Sequence, residues 1–404
     1  MFRGKRALST LDQDSDLSKH MRGGDRAKIV FIHPSDELYG ADRILLELVA
    51  LVPDTVQVEV WLPTDLVHSA KPLCTELESR SVPVRHFDLP ILRRAYRRPR
   101  DILRLLARTV TTARRLRANR PDIVYCTASS AYLGVLSARL AGVSSAVGHV
   151  QEFWWRTDKL VLTPLAAMAR QLIAISPAVA DALPARLRSR TTVVTNATSD
   201  PGATTPLAQR SGPIRYLVAS RWNGWKGHRT LLAAWDRAGC PGELVVLGAM
   251  PPSGEAVDVA ELARALTRPE TVDIVGEVDD IAAYIESADV VVMPSDQPEP
   301  FGLVAIEAFA AGRPVVASDA GGLHDIITAG RDGWLYPPRD HIALAAVIES
   351  LRRPAVTAAG EQARRTFQER YTLDRFARDW CGAMALPMPP ATGSTAAPTA
   401  HLRR

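Results

Sequence analysis

Residues 299–312 read EPFGLVAIEAFAAG, and this stretch decides how the chain around it is interpreted. The preceding DVVVMP at 289–294 is a short apolar, β-branched run typical of a buried strand, and an apolar helical pattern follows Gly302. The order predicts a strand, an acidic loop and a helix whose N-terminus, with its unpaired N–H groups and partial positive charge, suits a phosphate. Glu307 falls about one and a half turns inside this helix, where it can accept hydrogen bonds from ligand hydroxyls. Together these features favour a sugar nucleotide as ligand.

Each glutamate taken alone is more simply explained as a solvated side chain, Glu299 in a loop and Glu307 on an exposed helix face. The surrounding residues change this interpretation. The segment resembles the E-x7-E motif of the retaining glycosyltransferases of family 4, including its Pro-Phe-Gly and the AGRPVVAS at 311–318. The resemblance implies that Glu307 contacts the ribose of a nucleoside-diphosphate sugar. It also implies that the transferred sugar and the phosphate are held by Glu299 and by the backbone of Phe301, Gly302 and Leu303.

Alternating strand-like and helical patterns predict an α/β fold with two doubly wound, parallel sheets. The Pro-, Gly-, Thr- and Ser-rich residues 198–213 predict a linker between two series of strands, one from Lys28 onward and one from Ile214 onward. The resemblance implies that this plan is GT-B, with two Rossmann-like domains facing each other across a ligand-binding cleft. We expect a disordered tail at 1–27, an acceptor domain at 28–205, a donor domain at 206–372, a C-terminal helix at 373–386 that returns to the N-terminal domain, and a second disordered tail at 387–404.

Length and composition are those of a globular protein. With 404 residues, 47% of them hydrophobic, the chain can form two or three domains with sizeable cores. Its four cysteines are widely spaced with no C-x2-C pair, which argues against a zinc or disulfide scaffold and for a reducing compartment. No apolar segment follows the basic N-terminus, and no run reaches the roughly 18 to 20 apolar residues that cross a bilayer. We therefore expect a cytoplasmic protein, either free or peripheral on the inner face of the cell membrane.

A basic pair follows the first strand of the second series. The strand IRYLVA at 214–219 leads into Ser220 and Arg221, and Lys226 comes five residues later. Two basic residues after a strand are ordinarily surface residues, but this pair resembles the family's arginine and lysine that hold the donor diphosphate. Ser220 stands where glycine is commoner in the family. Fixed cations would stabilise the charge that develops on the departing diphosphate, so we predict catalytic roles for both residues and expect no metal and no cofactor beside the donor substrate.

Three softer matches add candidate residues. Gly322, in AGGL at 320–323, resembles the family's glycine pair near the transferred sugar. Gly40, in YGADR, resembles an acceptor-side glycine loop, although Tyr39 replaces the first glycine of the usual pair. His149 ends a strand and resembles a first-domain residue that faces the donor sugar, with an ordinary core histidine as the alternative. We include His149 with Glu299, Arg221 and Lys226 among the predicted catalytic residues.

Residues 93–120 contain eleven arginines and one acid, Asp101. Two sets recur at helical spacing on different sides of the helix: Arg100, Arg104, Arg108 and Arg115, and Leu103, Leu106, Val110 and Ala113. One interpretation is a solvated cationic face over a core-facing apolar stripe. Another is peripheral contact of the arginines with an anionic membrane. No recognition motif supports nucleic acid.

Other protein classes fit less well. A nicotinamide-linked oxidoreductase would carry G-x-G-x-x-G after the first strand, where this chain has HPSDE at 33–37. A GT-A transferase would use a D-x-D metal site at a strand end, but such triplets occur at 12–16, in the predicted tail. We therefore predict a metal-independent, retaining glycosyltransferase of hexosyltransferase type, which moves a sugar to a cell-envelope polysaccharide or glycolipid. The alternatives are a non-catalytic sugar-nucleotide-binding protein, which would use the same residues, and a nucleotide-sugar epimerase, whose acid/base groups are not evident.

Overall fold

The computed structural model describes residues 27–65, 72–93, 96, 98–251 and 255–388. The tails predicted at 1–27 and 387–404 therefore lie almost entirely outside the described residues. The chain forms two compact units. The first contains the described residues up to His149, Val161–Leu172 and those from Ala377 onward, and the second contains Val150–Leu160 and Ile173–Phe376. The continuous domain boundaries given above stay a prediction.

The first sheet has seven strands in the order β3-β2-β1-β4-β5-β6-β7. The pairings among its first five strands in sequence are parallel. Its central strands consist almost entirely of buried apolar residues, as expected where helices cover both faces of a parallel sheet. The strands are β1 (Lys28–Ile32), β2 (Gln57–Pro63), β3 (Val84–Phe87), β4 (Ile123–Cys126), β5 (Ser145–Val150), β6 (Gln171–Ala174) and β7 (Thr191–Val193).

The second sheet has six parallel strands in the order β10-β9-β8-β11-β12-β13. Two of its central strands, VVVM and VVAS, are completely buried. The strands are β8 (Ile214–Ala219), β9 (Gly242–Leu247), β10 (Val272–Gly276), β11 (Val290–Met293), β12 (Val315–Ser318) and β13 (Gly333–Tyr336).

Helices connect the strands of both sheets. In chain order they are α1 (Gly40–Ala50), α2 (Pro72–Ser79), α3 (Pro99–Asn119), α4 (Leu133–Ala141), α5 (Arg156–Ala167), α6 (Pro177–Ala182), α7 (Ala185–Arg188), α8 (His228–Arg237), α9 (Val259–Arg264), α10 (Ala282–Ser287), α11 (Leu303–Ala310), α12 (Gly322–Ile326), α13 (His341–Ser350), α14 (Arg353–Arg370) and α15 (Leu373–Met384).

The strand order identifies the fold. In each sheet the chain adds two strands on one side of the first and then crosses to add the rest on the other side. Right-handed crossovers with this order place helices on both faces, which is the doubly wound Rossmann arrangement. The predicted α/β, GT-B class is confirmed. The segment at 198–213 is more structured than the predicted linker, because it contains a short 3₁₀ turn in which Leu207 is buried.

Three of the four residues of the apolar stripe on α3 face outward, contrary to the core-facing orientation considered above, and the fourth, Ala113, is buried. Leu103, Leu106 and Val110 are 67%, 54% and 45% exposed. The buried face consists instead of smaller and hydroxyl-bearing side chains together with one leucine, namely Thr109, Thr112, Ala113 and Leu116. Small side chains let α3 approach α4 closely enough for Ser137 Oγ to donate a hydrogen bond to the Thr109 carbonyl at 3.0 Å. The helix has therefore turned Leu103 and Leu106 toward solvent.

The four predicted outward arginines also divide into two groups. Arg100 and Arg104 are exposed. Arg108 is mostly buried and pairs with Asp88 at 2.6 Å, while the half-buried Arg115 lies 4.3 Å above the ring of Phe87. A single outward face of four arginines is therefore wrong, because internal partners hold two of them. Within the described ranges, no helix is both long and apolar enough to cross a bilayer.

Candidate functional site

A buried ion pair lies at the carboxyl end of the second sheet. Glu299, in the loop after β11, is 6% exposed. Its Oε1 accepts a hydrogen bond from Lys226 Nζ at 2.6 Å and a second from Ser295 Oγ at 2.5 Å. The lysine side chain is 19% exposed and lies over the ring of Trp225, with Nζ 4.2 Å from the ring centroid. The structure thus brings together the basic pair's lysine and the first glutamate of the E-x7-E motif.

Backbone contact between two loops explains how Lys226 reaches Glu299 from 73 residues away. Strand β8 pairs with β11, so the loops that follow them leave the sheet side by side. Gly227 has φ 74°, and a Cβ there would lie 1.8 Å from the carbonyl oxygen of Pro294. The N–H of Asp296 also donates to the Trp225 carbonyl at 2.8 Å. Only glycine permits this approach, which fixes the lysine loop against the acidic loop.

Helix α11 begins directly after the acidic loop. Gly302, immediately before it, has φ 129°, a conformation that L side chains rarely adopt. Phe301 is buried, with its ring edge-on to Tyr371 at 6.2 Å. The first N–H groups of an α-helix have no partner within the helix, so the segment from Gly302 through Leu303 forms an anion-binding end. Glu307 is half-buried about one turn further along the helix.

The glycine pair packs against the same loop. Gly321 forms a parallel bridge with Glu299, and the N–H of Gly322 donates to the Glu299 carbonyl at 2.7 Å. A Cβ on Gly321 would lie 2.3 Å from that carbonyl oxygen, and one on Gly322 would lie 2.6 Å from Phe301 Cα. These contacts place Gly322 directly beside the acidic loop, as its predicted role near the sugar requires.

Arg221 follows β8 at the same end of the sheet and is partly exposed. Nearby, His228 is buried at the start of α8, and its Nε2 lies 3.4 Å from Ser220 Oγ. Burial first, and then the charge of Lys226, lower the pKa of His228 to about 4. Sequence reasoning missed both His228 and Ser295. The signal for His228 is its position directly after Lys226-Gly227, whereas nothing local distinguishes Ser295.

His149 lies in the first unit, at the end of β5. It is 1% exposed and packs edge-on against Tyr125, with 5.7 Å between ring centroids. Burial lowers the pKa of His149 to about 3, so the imidazole is neutral at pH 7. Neither ring nitrogen has a hydrogen-bond partner among the described residues. Two ring nitrogens without hydrogen bonds are unusual for a buried imidazole, because buried polar groups in proteins generally have hydrogen-bond partners.

Gly40 is the first residue of α1, and sequence reasoning missed the buried network beside it. His33 Nε2 lies 2.6 Å from Asp42 Oδ1, and its Nδ1 lies 2.7 Å from Thr127 Oγ1. The N–H of Tyr39 donates to Asp42 Oδ2 at 2.8 Å. Burial raises the pKa of Asp42, but the bonds and charge of His33 and the other donors outweigh it and leave this pKa below its usual value. The network fixes the loop that was predicted to face the acceptor.

A cluster of potential metal ligands in the first unit is explained without a metal. The ligand atoms of Asp36, Cys74 and His86 lie within 4.8 Å of one another. Asp36 Oδ1 accepts a hydrogen bond from the Cys74 N–H near the start of α2 at 2.9 Å, and Oδ2 lies 3.2 Å from His86 Nε2. Asp36 therefore ties α2 to β3 through its own hydrogen bonds.

A known protein family matches part of the second unit. Residues 213–353 match the family Glycosyl transferases group 1. This segment includes Arg221, Lys226, Glu299, Glu307 and Gly322.

Curated relatives match the chain over a limited length. Glycogen synthase of Mycobacterium tuberculosis is 35% identical over 170 residues, which is 41% of this chain and 40% of the relative. Phosphatidyl-myo-inositol mannosyltransferase of Mycobacterium leprae is 41% identical over 105 residues, 24% of this chain and 28% of the relative. D-inositol 3-phosphate glycosyltransferase of an Arthrobacter species is 36% identical over 158 residues, 37% of each protein. The chain thus spans at most about two fifths of the length of these relatives.

Solved structures match more of the chain. Anabaena Alr3699/HepE in complex with UDP-glucose superposes with a TM-score of 0.74 at 22% identity, covering 89% of this chain and 99% of that one. The apo form of the lipopolysaccharide outer core galactosyltransferase WaaB gives a TM-score of 0.67 at 17% identity, with the same coverage. At these identities the similarity concerns the fold.

Proposed function

We propose that this protein is a retaining glycosyltransferase that transfers a sugar from a nucleoside-diphosphate sugar to a cell-envelope polysaccharide or glycolipid. The observation that carries the proposal is the buried Lys226–Glu299 pair beside the N-terminus of α11. This arrangement offers a fixed cation and helix N–H groups for a diphosphate, and a carboxylate for sugar hydroxyls.

Lys226 and Arg221 would stabilise the leaving group. Breaking the anomeric bond places negative charge on the diphosphate, and preorganised cations lower the barrier as that charge develops. An ammonium group has three N–H donors, so the bond to Glu299 orients Lys226 while leaving it able to contact a phosphate. With Arg221 and the start of α11 supplying further positive potential, no divalent metal is needed.

The two glutamates would recognise hydroxyl groups. Glu299 and the backbone from Phe301 to Leu303 would hold the transferred sugar and the phosphate next to it. Glu307 would accept hydrogen bonds from the ribose. A carboxylate suits this task because both of its oxygens accept hydrogen bonds, and vicinal hydroxyls can donate to it together.

The resemblance to family 4 implies retention by same-face attack. The acceptor hydroxyl would attack the anomeric carbon on the side from which the diphosphate leaves, and the departing phosphate oxygen would take the hydroxyl proton. His149 would contact a hydroxyl of the donor sugar. As a neutral imidazole it has one donor and one acceptor nitrogen, so it serves as a hydrogen-bonding group rather than as a charge.

The relatives suggest which donors and acceptors to test first. UDP-glucose accompanies the matched Anabaena structure, and UDP-sugars are therefore the first donors to test. The relative named for phosphatidyl-myo-inositol supports a lipid-linked, envelope-type acceptor. Peripheral contact with an anionic membrane is proposed through the arginines of α3, chiefly the exposed Arg100 and Arg104. Arg108 and Arg115 would contribute through the local field rather than by direct contact.

A panel of UDP-, GDP- and ADP-sugars tests the proposal. Thermal stabilisation by one nucleotide, together with release of the nucleoside diphosphate, is expected for an enzyme. Thermal stabilisation without turnover, whichever acceptor is supplied, would instead support a sugar-nucleotide-binding protein. A change of sugar configuration without release of the nucleoside diphosphate would support an epimerase. The anomeric configuration of the product, read by NMR, tests retention. Lys226→Ala is the control, because it should remove turnover with the correct donor.

A further inference from the structure

Helix α3 carries an exposed apolar ridge, formed by Ile102, Leu103, Leu106 and Val110. These side chains are 55%, 67%, 54% and 45% exposed. At 100° per residue they share one side of the helix, and at 1.5 Å per residue they extend for about 12 Å. Isolated exposed leucines are common, but four aliphatic side chains in a row on one helix form a contiguous patch of the kind that marks an interaction site.

Arginines flank this ridge on the side away from the protein core. Arg100, Arg104 and Arg114 are exposed there. The acid within the helix itself, Asp101, accepts the N–H of Arg98 at the helix start through its Oδ2. A helix with an aliphatic stripe beside a cationic flank has the composition of helices that lie in the membrane interface.

A cavity adjoins the cationic flank. It has a volume of about 450 Å³ and is lined by Asp88, Arg104, Ala107, Arg108, Thr111 and Arg115. Arg108 is paired with Asp88, but Nη1 of Arg115 is buried without a hydrogen-bond partner in the described part of the chain. Because this nitrogen is shielded from solvent, the arginines around the cavity add positive potential beside the flank rather than a direct phosphate contact.

An anionic bilayer fits the aliphatic ridge, the arginine flank and the positive potential beside the cavity. Its acyl boundary accepts the aliphatic ridge, and its lipid phosphates accept the arginines, whose long stems can follow the apolar surface. A second copy of this chain, docked through the same face about a two-fold axis, would bring the two arginine flanks together. Nucleic acid would satisfy the arginines but leave the aliphatic side chains in contact with a polar surface.

We propose that α3 lies in the surface of an anionic bilayer, with the apolar ridge inserted at the headgroup boundary and the arginine flank on lipid phosphates. Burial of the aliphatic side chains then contributes to the membrane affinity, and salt does not screen this contribution. Attraction through the arginines alone would be screened by salt. This inference extends the proposed function, because it states where the enzyme would meet a lipid-linked acceptor. Only that consequence rests on the proposed function, and the membrane contact itself does not.

Vesicle co-sedimentation with the full chain tests the two components separately. The ridge variant Leu103→Ser/Leu106→Ser/Val110→Ser should lose roughly 30-fold in affinity for phosphatidylcholine vesicles containing phosphatidylglycerol, because it removes most of the apolar area that would be buried. The flank variant Arg100→Gln/Arg104→Gln/Arg114→Gln should lose about five-fold per arginine at low salt. The matched control Met250→Ser/Val275→Ser/Ile342→Ser removes three other exposed apolar side chains, from the second unit, and should bind as the wild type does. Vesicles of phosphatidylcholine alone should bind far more weakly.

Insertion can be observed directly at one position. The four native cysteines are buried, so Leu106→Cys provides an accessible thiol for an environment-sensitive fluorophore. Anionic vesicles should shift its emission to the blue, and bromine-labelled acyl chains should quench it. The same label at Ile342→Cys should show neither effect.

Wild-type affinity in the ridge variant at all salt concentrations would overturn the proposal. So would a ridge variant that changes the oligomeric state by light scattering while its vesicle binding is unaltered, since the ridge would then bind a second copy. Donor turnover and nucleotide-induced thermal stabilisation are measured on the same variants and should be unchanged. If no nucleotide sugar is turned over but the ridge variant still fails to bind vesicles, the membrane inference stands and the proposed function fails.

Discussion

The Lys226–Glu299 pair provides a quantitative prediction that needs no substrate. Lys226→Met removes the cation and leaves a carboxylate whose side chain is only 7% exposed, with Ser295 as its remaining hydrogen-bond donor in the described part of the chain. Breaking a fully buried ion pair costs about 3–5 kcal/mol. Because 19% of the lysine side chain is exposed to solvent, this pair is not fully buried and the cost should be smaller. We expect the free energy of unfolding to fall by about 2–3 kcal/mol.

The corresponding change in melting temperature is measurable. For a unit of roughly 200 residues, each kcal/mol shifts the midpoint by about 2–4 °C, so the loss should be about 4–12 °C. Glu299→Gln removes the charge that Lys226 neutralises. The double variant Lys226→Met/Glu299→Gln should therefore be less destabilised than the two single variants added together, with a coupling energy of about 1–3 kcal/mol.

A matched pair on the surface of the same unit serves as the control. Arg215 Nε and Glu243 Oε2 lie 2.8 Å apart, but these side chains are 52% and 56% exposed. Such pairs typically contribute about 0.2–1 kcal/mol. Urea unfolding of both mutant cycles gives the two coupling energies. Equal coupling in the two cycles would refute the reasoning, because Lys226 and Glu299 would then not be held together in a dry environment.

The remaining predictions concern catalysis and pH. Arg221→Ala should lower kcat by about 10²–10³-fold, because it removes stabilisation that grows in the transition state, whereas Glu307→Gln should mainly raise the donor KM; the reverse pattern in steady-state kinetics would exchange the two roles. Transfer should survive EDTA, and loss of activity that magnesium or manganese restores would contradict a leaving group neutralised by protein alone. Burial lowers the pKa of His149 to about 3 and that of His228 to about 4. As the pH falls, these two histidines are therefore protonated in the unfolded chain at a higher pH than in the folded chain. Stability should therefore fall as the pH drops below 6.5, by about 2.5 kcal/mol per pH unit near pH 5. In urea titrations this slope should be roughly halved in His149→Phe, and an unchanged slope would show that His149 titrates normally.

The fold was predictable because its strands are buried on both faces. Such strands are continuous apolar runs, and those at 214–219 and 289–293 agree with β8 and β11 to within one residue. The acidic loop and the start of α11 were also predictable, because Gly302 and the apolar helical pattern are local signals. The functional roles given to these residues stay predictions.

The partners of these residues were not predictable, because they come together only in the folded chain. His33 and Thr127 are 94 residues apart, and Lys226 and Glu299 are 73 apart. The prediction of how α3 is oriented was wrong for a different reason. Helical periodicity shows that Leu103 and Leu106 share a face, but it does not show which face packs inward, and the buried threonines have no apolar signature.

The acidic loop is held by main chain as much as by side chains. Gly321 and Gly322 bond to the backbone of Glu299, and Gly227 touches that of Pro294. For protein engineering, this makes the loop intolerant of changed chain length. Attempts to alter donor selectivity should therefore substitute residues facing the ligand and leave the number of residues between β11 and α11 untouched.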